Sequence, residues 1–104
     1  MGCIDVSQPR AAYRVDANQF DIIQALRRIG ASVTVTAGLG HGFPDLAVGY
    51  RGRNYLAEVK TSPQAPWTED EIKWRETWHG SMCIWYTPEQ AVSDVMDDLQ
   101  EMQY

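Results

Sequence analysis

The chain has 104 residues, 44% of them hydrophobic and 11% aromatic, with a formal net charge of −5. That length gives one domain with a modest core and excludes two, and the composition excludes a disordered chain. The acidic balance excludes a general nucleic-acid coat protein, which would be basic. It leaves room for an enzyme that meets nucleic acid through a few phosphate contacts.

No apolar run approaches the ~18 residues of a membrane span, and Met1-Gly2-Cys3-Ile4-Asp5 lacks a basic region followed by an apolar stretch. A soluble, intracellular, cytoplasmic protein with no membrane partner is expected. Val6 stands where a myristoylation motif needs Ser or Thr. Cys3 and Cys83 make neither a disulfide framework nor a zinc site, and Cys83 reads as a small core residue.

Residues 1–15 lack periodicity and contain Pro9, which predicts an irregular N-terminal arm. Phe20, Ile23 and Leu26, widened by Ile22 and Ile29, predict a helix over 17–29 with Gly30 as its stop. Asp16 and Gln19 have capping-box spacing, Asp16 as N-cap and Gln19 reaching back. Gln19 also shares the face of Ile23 and Leu26 and can look towards a sheet, so a cap and a site role both stay open. Residues 31–36 alternate as a β-branched strand.

Residues 37–43 place glycine at every second position but carry neither a P-loop nor a dinucleotide fingerprint. The glycines are expected to bring the backbone close to DNA or metal. His41 within them can contact phosphate or shuttle a proton, or do neither. Leu46-Ala47-Val48-Gly49-Tyr50 and Asn54-Tyr55-Leu56-Ala57 flank Arg51-Gly52 as a hairpin. A two-residue turn sets Asp45 opposite Glu58; a four-residue loop over 51–54 sets it opposite Lys60. Arg-Gly is a mediocre primed turn, which favours the longer loop. Either register leaves Asp45, Glu58 and Lys60 on one sheet face with Val59 directed oppositely.

Two prolines mark 62–66 as a loop, after which Thr68 as N-cap, Glu71 as capping-box partner and Trp67 stapled onto Ile72 open a helix that Gly80 closes. Trp74 and Trp78 share a face of it, as a core stripe or a base-stacking platform. Lys73 pairs with Glu69 or faces substrate. The wholly apolar 82–86 predicts a strand buried on both faces. Thr87-Pro88 caps a last helix with the stripe Val92, Val95, Met96, Leu99 and Met102, and with Asp94, Asp97, Asp98 and Glu101 solvated opposite. Of the basic residues, Arg51, Arg53 and Lys73, together with His41, are the candidates for phosphate contact.

Carboxylates thirteen positions apart, held roughly 5 Å from one another across a hairpin, repel unless something positive lies between them. Mg²⁺ or Mn²⁺ fits, because such hard cations bind through one or two carboxylates plus waters and substrate phosphate. Lys60 beside them can orient a water or stabilise charge building on a phosphate. A solvated strand with an ordinary cross-strand ion pair has the same residues.

Pro44-Asp45, a hairpin and Glu58-Val59-Lys60, in this order between a helix and a second helix, resemble the PD-(D/E)xK nuclease superfamily over about 18–88. In length and order the chain is most similar to stand-alone virus-type replication-repair nucleases and archaeal Holliday-junction resolvases. The resemblance implies an α/β fold with a restriction-endonuclease-like αβββαβ core, a mixed central sheet flanked by helices, and a C-terminal helix. It also implies a Mg²⁺-dependent endonuclease that hydrolyses DNA, selective for branched or four-way junctions, working as a homodimer and compatible with a phage source. Asp45 and Glu58 would hold the metal, with the Val59 carbonyl as a further ligand, and Lys60 would position the attacking water. Many relatives carry a glutamate on the first helix where this chain has Gln19, and Asp21 is the nearest substitute acid. That departure keeps open a catalytically weak DNA-binding module, beside a nickase or flap nuclease and a metal-independent interaction protein.

Overall fold

In a computed structural model of the chain, residues 10–102 are described, with side chains described over 17–97. The elements in order are α1 (Arg10–Arg28), β1 (Ser32–Val35), a 3-10 turn (Ala37–Leu39), β2 (Leu46–Tyr50), β3 (Arg53–Val59), α2 (Glu69–Thr77), β4 (Cys83–Trp85) and α3 (Pro88–Met102). The four strands form one sheet in the order β1-β2-β3-β4. The first three pair antiparallel, and β4 lies parallel to β3, as a return through the crossover that carries α2 requires. The α/β class with a mixed sheet and flanking helices is therefore as expected.

One face of the sheet makes the core. Leu46, Val48 and Tyr50 of β2 and Tyr55, Ala57 and Val59 of β3 point the same way by alternation, and they meet Ile22, Ile23 and Leu26 of α1 and Ala91 and Val95 of α3. Trp85 closes this core, fully buried, while its indole N–H donates to Asp94 at 2.8 Å. Asp94 is thus not simply solvated. The helix ends were mostly legible. Gly30, at φ +94°, closes α1 with Ala31 N–H bonded to the Leu26 carbonyl and Gly30 N–H to that of Arg27. Thr68 and Glu71 form the full capping box on α2, and Thr87 accepts the Gln90 N–H at the start of α3.

Several expectations are corrected. α1 begins at Arg10, so 10–15 are helical and Asp16 lies inside the helix, where no N-cap exists. Arg10-Ala11-Ala12 are strong helix formers that carry the helix back past the candidate cap. The remainder of the expected arm, Cys3 included, lies outside the described residues. Phe20 is 59% exposed rather than buried, because Ile22, not Phe20, completes the inward stripe. β4 spans only Cys83–Trp85 and is an edge strand with Cys83 and Ile84 half-buried, not one covered on both faces. α2 ends at Thr77 before Gly80, and Ile72 is exposed. Met96 is exposed too, and the side chains of Leu99 and Met102 are outside those described.

The hairpin takes the two-residue turn, with Leu46 opposite Ala57 and Tyr50 opposite Arg53. Arg51 at φ 48° and Gly52 at φ 85° both adopt the left-handed region that a primed turn requires. The Arg51 guanidinium lies 5.5 Å from the Tyr50 ring centroid, so the strained residue recovers a contact. The longer loop is thereby excluded.

Gly42 (φ 81°) lies against α2: a Cβ there would run into the backbone of Asp70 and Glu71. Gly52 has open space. Gly42→Ala is therefore expected to cost more than about 2 kcal/mol, left-handed strain plus a clash with main chain, against about 1 kcal/mol for Gly52→Ala. Chemical denaturation of both variants checks the difference.

Candidate active site

Pro44 is fully buried, and lacking an N–H it leaves no donor to satisfy there. Thr36, just beyond β1, grips the segment twice: its hydroxyl donates to the Pro44 carbonyl and its N–H to that of Asp45, each at 2.7 Å. So anchored, Asp45 turns its carboxylate to β3, where Oδ2 accepts the Val59 N–H at 2.9 Å. A side chain takes the place of a ladder carbonyl. Because the N–H and C=O of one strand residue point to the same side, the Val59 carbonyl also faces the Asp45 side.

Glu58 points to the face opposite the core and is 3% exposed, the one buried charged residue among those described. Lys60, two residues on, places Nζ 3.6 Å from Glu58 Oε2 and 2.8 Å from Glu71 Oε1. It also donates to the Pro66 carbonyl at 3.1 Å and lies 4.6 Å from the Trp67 ring centroid. Trp67, expected to staple onto Ile72, has Arg75 4.2 Å from its ring centroid as well. Asp45, Glu58 and Lys60 are thus brought together.

Sequence reasoning missed Glu71 as a site residue. Glu71 completes the α2 capping box, accepting the Thr68 N–H at 2.9 Å, and also reaches Glu58 and Lys60. The capping-box spacing announced it as a helix start, but nothing in the ten residues between Lys60 and Glu71 reveals that the helix start docks on the strand. A third carboxylate therefore joins the pair from α2, not from α1.

On α1, Asn18 rather than Gln19 holds the strand ends, its amide donating at 3.1 Å to the carbonyls of both Lys60 and Tyr86. Gln19 is half-buried and makes no side-chain hydrogen bond among the described residues; Asp21 is exposed. His41, at φ 57°, and Lys73 are exposed, and Lys73 forms no ion pair among the described residues. Arg51 and Arg53 occupy the hairpin tip, with Arg53 five residues along β3 from Glu58, or roughly 17 Å.

Three carboxylates around one ammonium leave an excess of negative charge, and it appears in their protonation. Burial, the Glu71 carboxyl against it and the Asp45 charge push Glu58 up to about 8. Burial also raises Asp45, opposed by the Val59 N–H. Burial acts upward on Glu71 as well, yet hydrogen bonds from Lys60, Glu58 and the Thr68 N–H hold it below its usual value. A proton on Glu58 thus satisfies the cluster, and among the described residues no buried side-chain N or O lacks a hydrogen-bond partner. A divalent cation would replace that proton. No group of three His, Cys, Asp or Glu side chains is arranged as a metal cage among the described residues. Mg²⁺ asks for less, one or two carboxylates with water and phosphate oxygens completing its shell, and Asp45 and Glu58 are the carboxylates that would hold it.

Without metal, unfolded Glu58 loses its proton near 4.5 while the folded one keeps it to about 8, so stability falls as pH rises across that interval. Glu71 has the opposite sign: its contribution is present at neutral pH and is lost as pH falls below its unfolded value. The Glu71 contribution is constant over this interval and Asp45, also raised, acts in the same direction as Glu58, so a loss on the order of a few kcal/mol is expected between these limits, or roughly 10 °C or more in Tm. Glu58→Gln should flatten the profile and exceed the parent in Tm at the alkaline end, as thermal melts in chelator would show.

No helix among the described residues is long and apolar enough to cross a membrane. No family model, curated protein or solved structure matches the chain.

Proposed function

We propose that this chain is a Mg²⁺- or Mn²⁺-dependent endonuclease of PD-(D/E)xK type that hydrolyses phosphodiester bonds in DNA. The observation that carries the reading is the convergence of Asp45, Glu58 and Lys60 at one end of the hairpin. There the Val59 N–H fixes Asp45 beside a Glu58 that only a proton or a cation can satisfy. Asp45 and Glu58 would hold the cation, with the Val59 carbonyl on the same side. When bound, it supplies Lewis-acid polarisation of the phosphate and an acidified water.

The chain's own residues then have separable tasks. Val59 N–H and Thr36 keep Asp45 from turning away. Glu71 and the Pro66 carbonyl aim the Lys60 ammonium along the face that carries Glu58, where it would meet a phosphate oxygen or the attacking water. Arg51 and Arg53, far along the hairpin, would bind backbone phosphate without entering the chemistry. A chain this small covers little of a duplex, so a homodimer with two-fold-related sites is the proposed unit on branched or four-way DNA.

A second reading has its own support. Lys60 is held by Glu71, Glu58, Pro66 and Trp67 together, as in a buried ion-pair network that fixes α2 on the sheet of an interaction protein. Titrating Mg²⁺ in a cleavage assay over linear, flap, Y-shaped and four-way DNA separates the two. Metal-dependent scission supports the nuclease; its absence on every substrate, with intact fold, leaves the network.

Asp45→Ala and Glu58→Ala are expected to abolish cleavage while the protein stays folded. Lys60→Ala should lower single-turnover rates roughly 10² to 10³-fold with little change in DNA affinity, whereas Arg51→Ala and Arg53→Ala should weaken binding and spare the rate at saturating DNA. Lys60 is the only cation paired with the carboxylates among the described residues, so its variant should also melt lower without metal. Parental rates in the Lys60 variant would contradict the assignment.

A further inference from the structure

Beside the carboxylates lies an aromatic surface that the protein core does not use. α2 has no buried residue. Glu71, Trp74 and Trp78 recur at helical spacing, so the stripe that begins in the carboxylate cluster continues along the helix as two indoles, ending about 10 Å farther on. Trp74 and Trp78 stack with centroids 4.7 Å apart and planes 19° apart. Phe43, two residues before Asp45, meets both edge-on at 5.5 and 6.3 Å. Trp78 nonetheless remains 41% exposed.

The exposed ring is held in place. A Cβ on Gly80 would come within 2.8 Å of the Trp78 indole nitrogen, so the chain leaving α2 is shaped around that ring. A ring braced by Trp74, Phe43 and the Gly80 backbone, yet 41% exposed, loses little freedom when a flat partner lands on it. Lys73 and Arg75 stand next to Trp74 in the sequence of the same helix, are exposed, and form no ion pair with a carboxylate among the described residues. Arg75 is carried on Trp67, the ring that also touches Lys60. Aromatic faces interleaved with cations, leading out of a carboxylate site, are suited to a nucleic-acid strand whose bases are unpaired.

We propose that the Trp74–Trp78 stack is a platform for unpaired bases of single-stranded DNA, with Lys73 and Arg75 on the adjoining phosphates. The substrate class is then DNA with a single-stranded segment next to the cleaved bond, a flap or splayed arm in preference to a fully paired duplex. This deepens the nuclease reading and rests on it for the position of cleavage; the binding itself does not.

The test measures binding of a fluorescein-labelled oligothymidylate and of a blunt duplex of equal length, in chelator, to the parent, Trp78→Ala and Trp78→Phe. The parent should prefer the single strand, with quenching of tryptophan fluorescence. Trp78→Ala should weaken single-strand binding roughly five- to hundred-fold, the range of one lost base stack, while leaving duplex binding and circular dichroism unchanged. Trp78→Phe should recover much of the affinity. Equal affinity for both DNAs, or an unaltered Trp78→Ala, overturns the platform. Single-strand binding without cleavage under Mg²⁺ would sink the nuclease reading alone, and cleavage with Trp78→Ala affinity unchanged would sink the platform alone.

Discussion

The hydrogen bond from the Val59 N–H to Asp45 Oδ2 is the constraint on which the rest of the site depends. β3 runs past the end of β2, and without Asp45 the Val59 donor would lack its ladder partner. A carboxylate makes that bond charge-assisted and stronger than the neutral one it replaces. Placing Asp45 there sets it beside Glu58, the residue before Val59. Thr36 fixes the main chain behind Asp45, so the carboxylate arrives in one orientation. The primed turn at Arg51-Gly52 sets the register that makes this possible; a loop two residues longer would bring Lys60, not Glu58, opposite Asp45.

From that constraint follows an electrostatic imbalance. Asp45, Glu58 and Glu71 share one ammonium, and Glu58 is buried, so the cluster is satisfied at neutral pH by retaining a proton. Apolar residues in these places would stabilise a small domain as well or better. Charge concentrated against stability is what sites for cations and reactions show, and it lies at the sheet end where the glycine loop and α2 also converge. The Gly42 approach to Asp70 and the Phe43 contacts to Trp74 and Trp78 make α2 part of that end rather than a cover for the core.

Much of this was legible because strand alternation and caps are local. Period-two spacing put Asp45, Glu58 and Lys60 on one face in either register, and Thr68, Thr87 and Gly30 marked their helix ends. What escaped depends on packing between distant segments. Glu71 satisfies its capping role within three residues, which conceals its second partner across the loop. Asn18 and Gln19 are neighbours of similar chemistry, and only the docking of α1 on the strand ends decides that Asn18 makes the hydrogen bonds. Asp16 reads as a cap until the helix formers before it are weighed. Arg51 was undervalued because its left-handed conformation is unusual for a long side chain, and the Tyr50 ring beneath it is a contact that turn statistics omit. The Trp74 and Trp78 stripe suggested core; no residue of α2 is buried, and Trp78 stays at the surface.

The proposed activity requires a cation to replace the proton that Glu58 retains. Calorimetric titration of Mn²⁺ into the parent and into Asp45→Asn at neutral pH, run beside cleavage over the same metal concentrations, addresses this directly. Saturable binding to the parent, lost in Asp45→Asn, with cleavage rising over the same range, is the predicted result. No saturable binding to the folded parent, or cleavage that persists unchanged in chelator, would contradict it.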